Sequence, residues 1–186
     1  MFRRLARVSH TAIQGHRLKA KANRMTSPTN GGSTGEAPAQ PSFNVITQYI
    51  KDFSFENPNA PKSLMQPQQQ PQITIQVNVN RNQLSITDFE VSLKIEGKAE
   101  LTGTALFRFD LDYAGVFRLA NIPRENVGPL LMIECPRLLF PFARELIAST
   151  ISNGGFSPLL LQPIDFAALY QRRLADMQAQ QPAVQA

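Results

Sequence analysis

Apolar and polar residues alternate with a period of two through much of the middle of this chain. Ile73, Ile75, Val77 and Val79 are interleaved with Thr74, Gln76 and Asn78, and Phe89, Val91, Leu93 and Ile95 with Glu90, Ser92, Lys94 and Glu96. After Gly97 a second run opens near Ala99, in which Phe107, Phe109, Leu111 and Tyr113 alternate with Arg108, Asp110 and Asp112. That period gives each strand one apolar and one polar face. Asp52-Phe-Ser-Phe-Glu56 is a shorter example. Polar links such as Asn80-Arg-Asn-Gln83 are short, so the pattern predicts an antiparallel meander of about four strands.

Ordered structure should begin near Phe43, with Val45, Ile46, Tyr49 and Ile50 apolar. Asn57-Pro-Asn-Ala-Pro61 ends the strand at Glu56, and the Gln/Pro run from Pro67 to Gln72 is a connection. Beyond Gly128-Pro129 the period changes. Leu130, Leu131, Ile133, Leu138, Leu139, Phe142, Leu146 and Ile147 recur at helical spacing, and Gly154-Gly155 is a C-terminal stop. Pro136 can start the longer helix, while Pro141 sits in its first turn or kinks it. Pro163-Ile-Asp165 precedes a last helix with Phe166, Leu169, Tyr170 and Leu174 on one face. Strands followed by helices make the fold α+β, a four-stranded antiparallel sheet with C-terminal helices packed on it.

Charge changes the picture only once it is located. The net charge is +5, but residues 1–24 hold seven Lys/Arg and no acid. Removing those seven from 19 leaves 12 Lys/Arg against 14 Asp/Glu for residues 25–186, a net of −2. The body is slightly acidic, which argues against nucleic-acid binding. The leader has two open readings. Phe2, Leu5, Ala6 and Ile13 lie opposite Arg3, Arg4 and Arg7 on a helical wheel, as in a mitochondrial presequence, which would place the protein in the matrix. Alternatively the true start is Met25 rather than Met1, and the protein is cytoplasmic. Residues 1–42 are thus expected to be a leader and a disordered Gly/Ser/Pro tail, 43–174 the folded body, and 175–186 a flexible end.

No catalytic constellation is legible. Both histidines, His10 and His16, lie in the leader, and no nucleophile elbow, phosphate loop or metal-spaced His/Asp set occurs. Cys135, the single cysteine, reads as a buried core thiol, excludes an intramolecular disulfide and fits a reducing compartment. No apolar run approaches the ~20 residues that span a bilayer. The chain reads as a non-enzyme with no cofactor, no metal and no membrane insertion. Aromatics are in excess: Phe53, Phe55, Phe107, Phe109 and Tyr113 lie on apolar strand faces. The odd-numbered face from Phe107 to Tyr113 should exceed what one sheet-and-helix layer covers, leaving an interface or an exposed groove.

Several blocks resemble one family. Tyr113-Ala-Gly-Val-Phe117 and Pro129-Leu-Leu-Met-Ile-Glu-Cys-Pro-Arg-Leu-Leu-Phe-Pro-Phe-Ala-Arg144 are similar to SecB, the bacterial protein-export chaperones. So are Gly154-Gly-Phe156, Pro163-Ile-Asp-Phe-Ala-Ala-Leu-Tyr170 and Tyr49-Ile-Lys-Asp-Phe-Ser-Phe-Glu-Asn-Pro-Asn-Ala-Pro61, in the family's order. The resemblance implies a homotetramer, a dimer of dimers, whose apolar grooves hold unfolded precursor proteins without ATP. It also implies delivery to SecA, the motor ATPase, whose zinc-containing C-terminal segment docks on an acidic patch of the sheet.

Carried over by position, the SecA-facing acids are Asp52, Glu56 and Asp110, each of which also reads as a solvated strand charge. Arg108 replaces the family's usual leucine two residues before Asp110, which should weaken the negative field or alter docking. The groove positions are Phe53, Phe55, Phe107, Phe109, Leu111, Tyr113 and Tyr170. A tryptophan that some members carry after Pro61 is absent, which shifts that part of the groove to Leu64 and Met65. Two alternatives stay open: a SecB-like chaperone dedicated to a toxin–antitoxin system, and a structural protein whose aromatic faces make only oligomer contacts.

Overall fold

The computed structural model describes residues 40–65 and 70–179. The leader, the tail up to residue 39, Gln66 to Gln69 and the terminus beyond Ala179 lie outside these residues. Four strands form one antiparallel sheet: β1 (Ser42–Glu56), β2 (Gln72–Gln83), β3 (Asp88–Leu101) and β4 (Thr104–Ala120). Their order is β1-β4-β3-β2. Only β2, β3 and β4 form a meander. The first strand pairs with the last, so the connection after Glu56 carries the chain to the far edge of the sheet, a Greek-key arrangement.

Two expectations about strands are corrected. Residues 42–56 form one 15-residue strand, with register shifts between Val45 and Thr47 and between Ile50 and Asp52. Each extra residue reverses the side-chain alternation, which hid the strand in the apolar pattern of Val45, Ile46, Tyr49 and Ile50. Gly97 does not break β3, which runs through it to a turn at Thr102 and Gly103. The absent side chain makes room: a methyl group built on Gly97 would overlap the Phe109 ring and come within 2.8 Å of Ile75 Cδ1. Glycine inside a strand often marks such a close approach.

The helical half begins earlier than the sequence predicts. A first helix, α1 (Arg124–Pro129), passes through a wide turn (Leu130–Glu134) into α2 (Cys135–Asn153). Pro136 brings no N–H to the helical ladder, and the π-type turn just before it takes up that mismatch, so the Gly128-Pro129 pair does not stop the helix. Leu131, Cys135, Leu139, Ala143, Ile147 and Ile151, four apart, are all fully buried. They pack against the apolar sheet face, where Val91, Leu93, Ile95 and Leu111 are equally buried. Each buried aliphatic side chain of this kind contributes about 1.5–3 kcal/mol. At the far end Gly155 takes φ +88°. Its N–H donates to Ser152 O and that of Phe156 to Ile151 O, a Schellman stop that only glycine adopts without strain. The last helix, α3 (Phe166–Ala179), runs past the expected body limit at residue 174 and buries Phe166 alone.

The opposite sheet face is polar. On it Tyr49 and Lys51 of β1 reach over β4 to Glu90 of β3: the tyrosine hydroxyl donates to Glu90 Oε1, and Lys51 Nζ lies 2.9 Å from Oε2. The hydrogen bond to Glu90 and burial push the Tyr49 hydroxyl up to about 12. The same two donors, the tyrosine first, hold the Glu90 carboxyl below its ordinary range. Cys135 is buried as expected, and burial pushes its thiol up to about 12.

Two predictions follow from these contacts. Gly97→Val should lower stability by about 1–3 kcal/mol, because the Phe109 ring is itself held in the core. An unchanged urea midpoint would show that the ring moves freely. Because the folded carboxyl of Glu90 titrates low, its stabilisation is present above its ordinary value of 4.5 and is lost as pH falls through the lowered folded value. Glu90→Gln should therefore destabilise at pH 7 and flatten the acid limb of the stability profile. Parallel profiles for the two proteins would contradict this linkage.

Candidate functional site

Cross-strand partners in an antiparallel pair point to the same face, so the register places every candidate side chain. Asp52 pairs with Asp112, Ser54 with Asp110 and Glu56 with Arg108. On the other flank of β4, Asp112 pairs with Lys94, Asp110 with Glu96 and Arg108 with Lys98. Three rows of side chains thus cross the polar face. Asp52, Glu56 and Asp110 come together there despite their separation in sequence, with Arg108 among them. The sequence reading missed Glu96, Lys94 and Lys98. Their alternation marked a polar face, but only the register sets them beside Asp110.

A shallow trough of about 370 Å³ crosses all four strands on this face, lined by Ser54, Glu56, Thr74, Gln76, Glu96, Lys98, Arg108 and Asp110. Lys94 Nζ lies 2.8 Å from Glu96 Oε1 and 3.2 Å from Asp110 Oδ2, and these bonds, that to Glu96 first, push its ammonium up to about 12. Lys98 pairs with Glu100 at 3.1 Å. Asp110 Oδ1 and Asp112 Oδ1 are shielded and have no hydrogen-bond partner among the described residues. A shielded carboxylate oxygen without a donor is costly, so these two aspartates are held at some expense on the polar face. Among the described residues no group of His, Cys, Asp and Glu is arranged to hold a metal ion.

The groove candidates separate into three places. Phe107, Phe109, Leu111 and Tyr113 are buried beneath the helices, between 0% and 9% exposed. The expected aromatic surplus on that strand face is therefore wrong: the stripe centred on α2, with Phe55 and Phe156 on Phe107 and Phe142 on Tyr113, covers it. Phe53 and Phe55 are half-buried at the β1 edge. Phe55 stacks on Phe107 at 6.0 Å, and Phe107 meets Phe156 at 5.0 Å. Nearby Leu64 lies against Gly155, and Met65 is 81% exposed. Tyr170 sits at the opposite edge, in a depression of about 400 Å³ with Val77, Val79, Met132 and Leu169. Here Arg173 Nη1 donates to Val79 O at 2.6 Å.

Exposed apolar side chains also lie at positions that the sequence reading named but did not assign to a surface. Val45, Ile46, Tyr49 and Ile50 lie along the edge strand β1, with Tyr49 turned inward to Glu90, and Leu138 and Phe142 lie on a flank of α2, where Phe142 stacks on Tyr113 at 6.3 Å; each is between 36% and 52% exposed. The β1 residues fell outside a regular period in the sequence, whereas Leu138 and Phe142 fell within the helical spacing and were expected on the covered face.

The protein-family model for preprotein translocase subunit SecB matches residues 36–177. A protein-export protein SecB of Rhodopseudomonas palustris (strain BisB5) is 60% identical over 154 residues, 82% of this chain and 97% of that one. Those of Bradyrhizobium diazoefficiens and Azorhizobium caulinodans are 59% and 56% identical over 147 and 159 residues, covering 78% and 85% of this chain and 91% and 99% of theirs. Among solved structures, a SecB-like chaperone of Mycobacterium tuberculosis, in complex with a peptide from the antitoxin HigA1, superposes with a TM-score of 0.56. It is 14% identical, covers 66% of this chain and 90% of its own, and shows the fold. With its four-stranded sheet, its C-terminal helices and relatives of this identity over nearly their whole length, the chain belongs to the SecB family of protein-export chaperones.

Proposed function

We propose that the protein divides its two tasks between two surfaces: it holds unfolded precursors on exposed apolar side chains and docks the SecA motor on the polar sheet face. The observation that carries this reading is the register of β4. It sets Asp52, Asp110 and Asp112 side by side on one face and turns Phe53 and Phe55 to the other. Holding needs no nucleotide, because apolar walls gain about 25 cal/mol per Å² from any apolar segment a client leaves exposed. Phe53, Phe55, Leu64, Met65 and Tyr170 are its contacts. The long β1 edge and the Leu138–Phe142 ridge favour assembly into a tetramer, since an open apolar edge strand otherwise invites indiscriminate pairing. Grooves repeated in one oligomer raise a weak local affinity by avidity. A chaperone that meets precursors before their export acts in the cytoplasm.

One variant separates the tasks. Asp52→Lys should weaken binding of the C-terminal segment of SecA about fivefold at low salt, as reversal of one rim charge does. The difference should shrink as salt shortens the screening length below ~10 Å. The native mass should stay near four chains, and suppression of client aggregation should be unchanged without ATP. Titration calorimetry, native mass spectrometry and light scattering read the three properties. Equal affinity of parent and variant would move the docking surface elsewhere, and a parent that leaves client aggregation unaffected would remove the holding role.

A further inference from the structure

Resting on the docking face just described, the charges inside the trough say more about what fits it. One wall is the row Glu56, Arg108 and Lys98; the other is Ser54, Asp110 and Glu96. On the second wall Lys94 bonds both acids, and on the first Lys98 is engaged by Glu100. Arg108 has no ion-pair partner among the described residues, although Glu56 is its cross-strand neighbour. Its other cross-strand neighbour is Lys98. Lys98 is held by Glu100, so the exposed guanidinium is left with N–H donors that no carboxylate among the described residues engages.

A purely basic segment would leave those donors unused and repel the guanidinium. A carboxylate would engage them, and guanidinium takes carboxylate through two parallel hydrogen bonds. Four residues along β4 separate Arg108 from Asp112, about 13 Å at strand rise. Opposite charges that far apart on the docking segment reach their own partners without cancelling each other. We propose that the SecA segment docking here is of mixed charge: its basic side chains meet Asp52, Asp110 and Asp112, while one of its carboxylates is received by Arg108. Arg108 is then a specificity residue that disfavours segments lacking the matching acid, rather than a defect in an acidic patch.

The test is a double-mutant cycle with the zinc-loaded C-terminal segment of the cognate SecA. Each of its carboxylates is changed singly to the amide, and each segment is titrated against the parent tetramer and the Arg108→Leu variant. Native mass and urea midpoint establish that the variant is folded. One amide change should weaken binding to the parent about three- to tenfold and leave binding to Arg108→Leu unaltered. Arg108→Leu should bind the unmodified segment more weakly than the parent does, and the amide-changed segment more tightly. Tighter binding of the unmodified segment by Arg108→Leu, or no carboxylate coupled to position 108, overturns the proposal. The docking face survives that result if Asp52→Lys still weakens binding. An unmodified segment that does not bind the parent overturns both.

Discussion

The register of β4 against its two neighbours is the constraint on which the molecule depends. Like β3, this strand is flanked by partners along most of its length, by β1 on one side and β3 on the other. Because side chains alternate, that pairing commits Phe107, Phe109 and Leu111 to the helices and Arg108, Asp110 and Asp112 to solvent. A slip of one residue would exchange the two sets, burying carboxylates and exposing aromatics. The energetic penalty for that exchange is what keeps the polar face polar. The separation of a charged docking surface from an apolar interior is thus the same fact as the stability of the sheet.

The helices complete the arrangement by covering one face only. Leu131 to Ile151, at intervals of four, lay a continuous stripe over the sheet that passes two prolines, Pro136 and Pro141, with the wide turn at Leu130–Glu134 just before the first. What the stripe leaves uncovered is peripheral: the β1 edge, the segment around Leu64 and Met65, and the outside of α2. Apolar surface available for clients or for other copies of the chain therefore lies around the rim of the core. The helix α3, held by buried Phe166 and by Arg173 on Val79 O, borders the other edge.

Strands with unbroken alternation were legible in the sequence, as were the helix end at Gly154-Gly155 and the burial of Cys135. The features that escaped share a physical cause, because each depends on a contact between segments distant in the chain. Bulges in β1 answer to its pairing with β4, and Gly97 answers to the Phe109 ring. The start of the helix at Arg124 needed a turn geometry that composition does not encode. Aromatic excess was misjudged because Phe107 is covered by Phe55 and Phe156, which are distant from it in the chain, as well as by α2. The acids Asp52, Glu56 and Asp110 were named by family resemblance, while their neighbours Glu96, Lys94 and Lys98 emerged only from the β3–β4 register.

The division of labour between faces can be read directly by placing a photoreactive group on each. Cys135 is buried with its thiol pushed up to about 12, so it should not compete for a thiol reagent. Ser54→Cys puts a benzophenone in the trough, and Met65→Cys puts one on the apolar rim. The expected result is that the Ser54 position cross-links the SecA segment and spares a reduced, unfolded precursor, while the Met65 position does the reverse. Cross-linking of the precursor from the trough, with none from position 65, would contradict the assignment of the two surfaces.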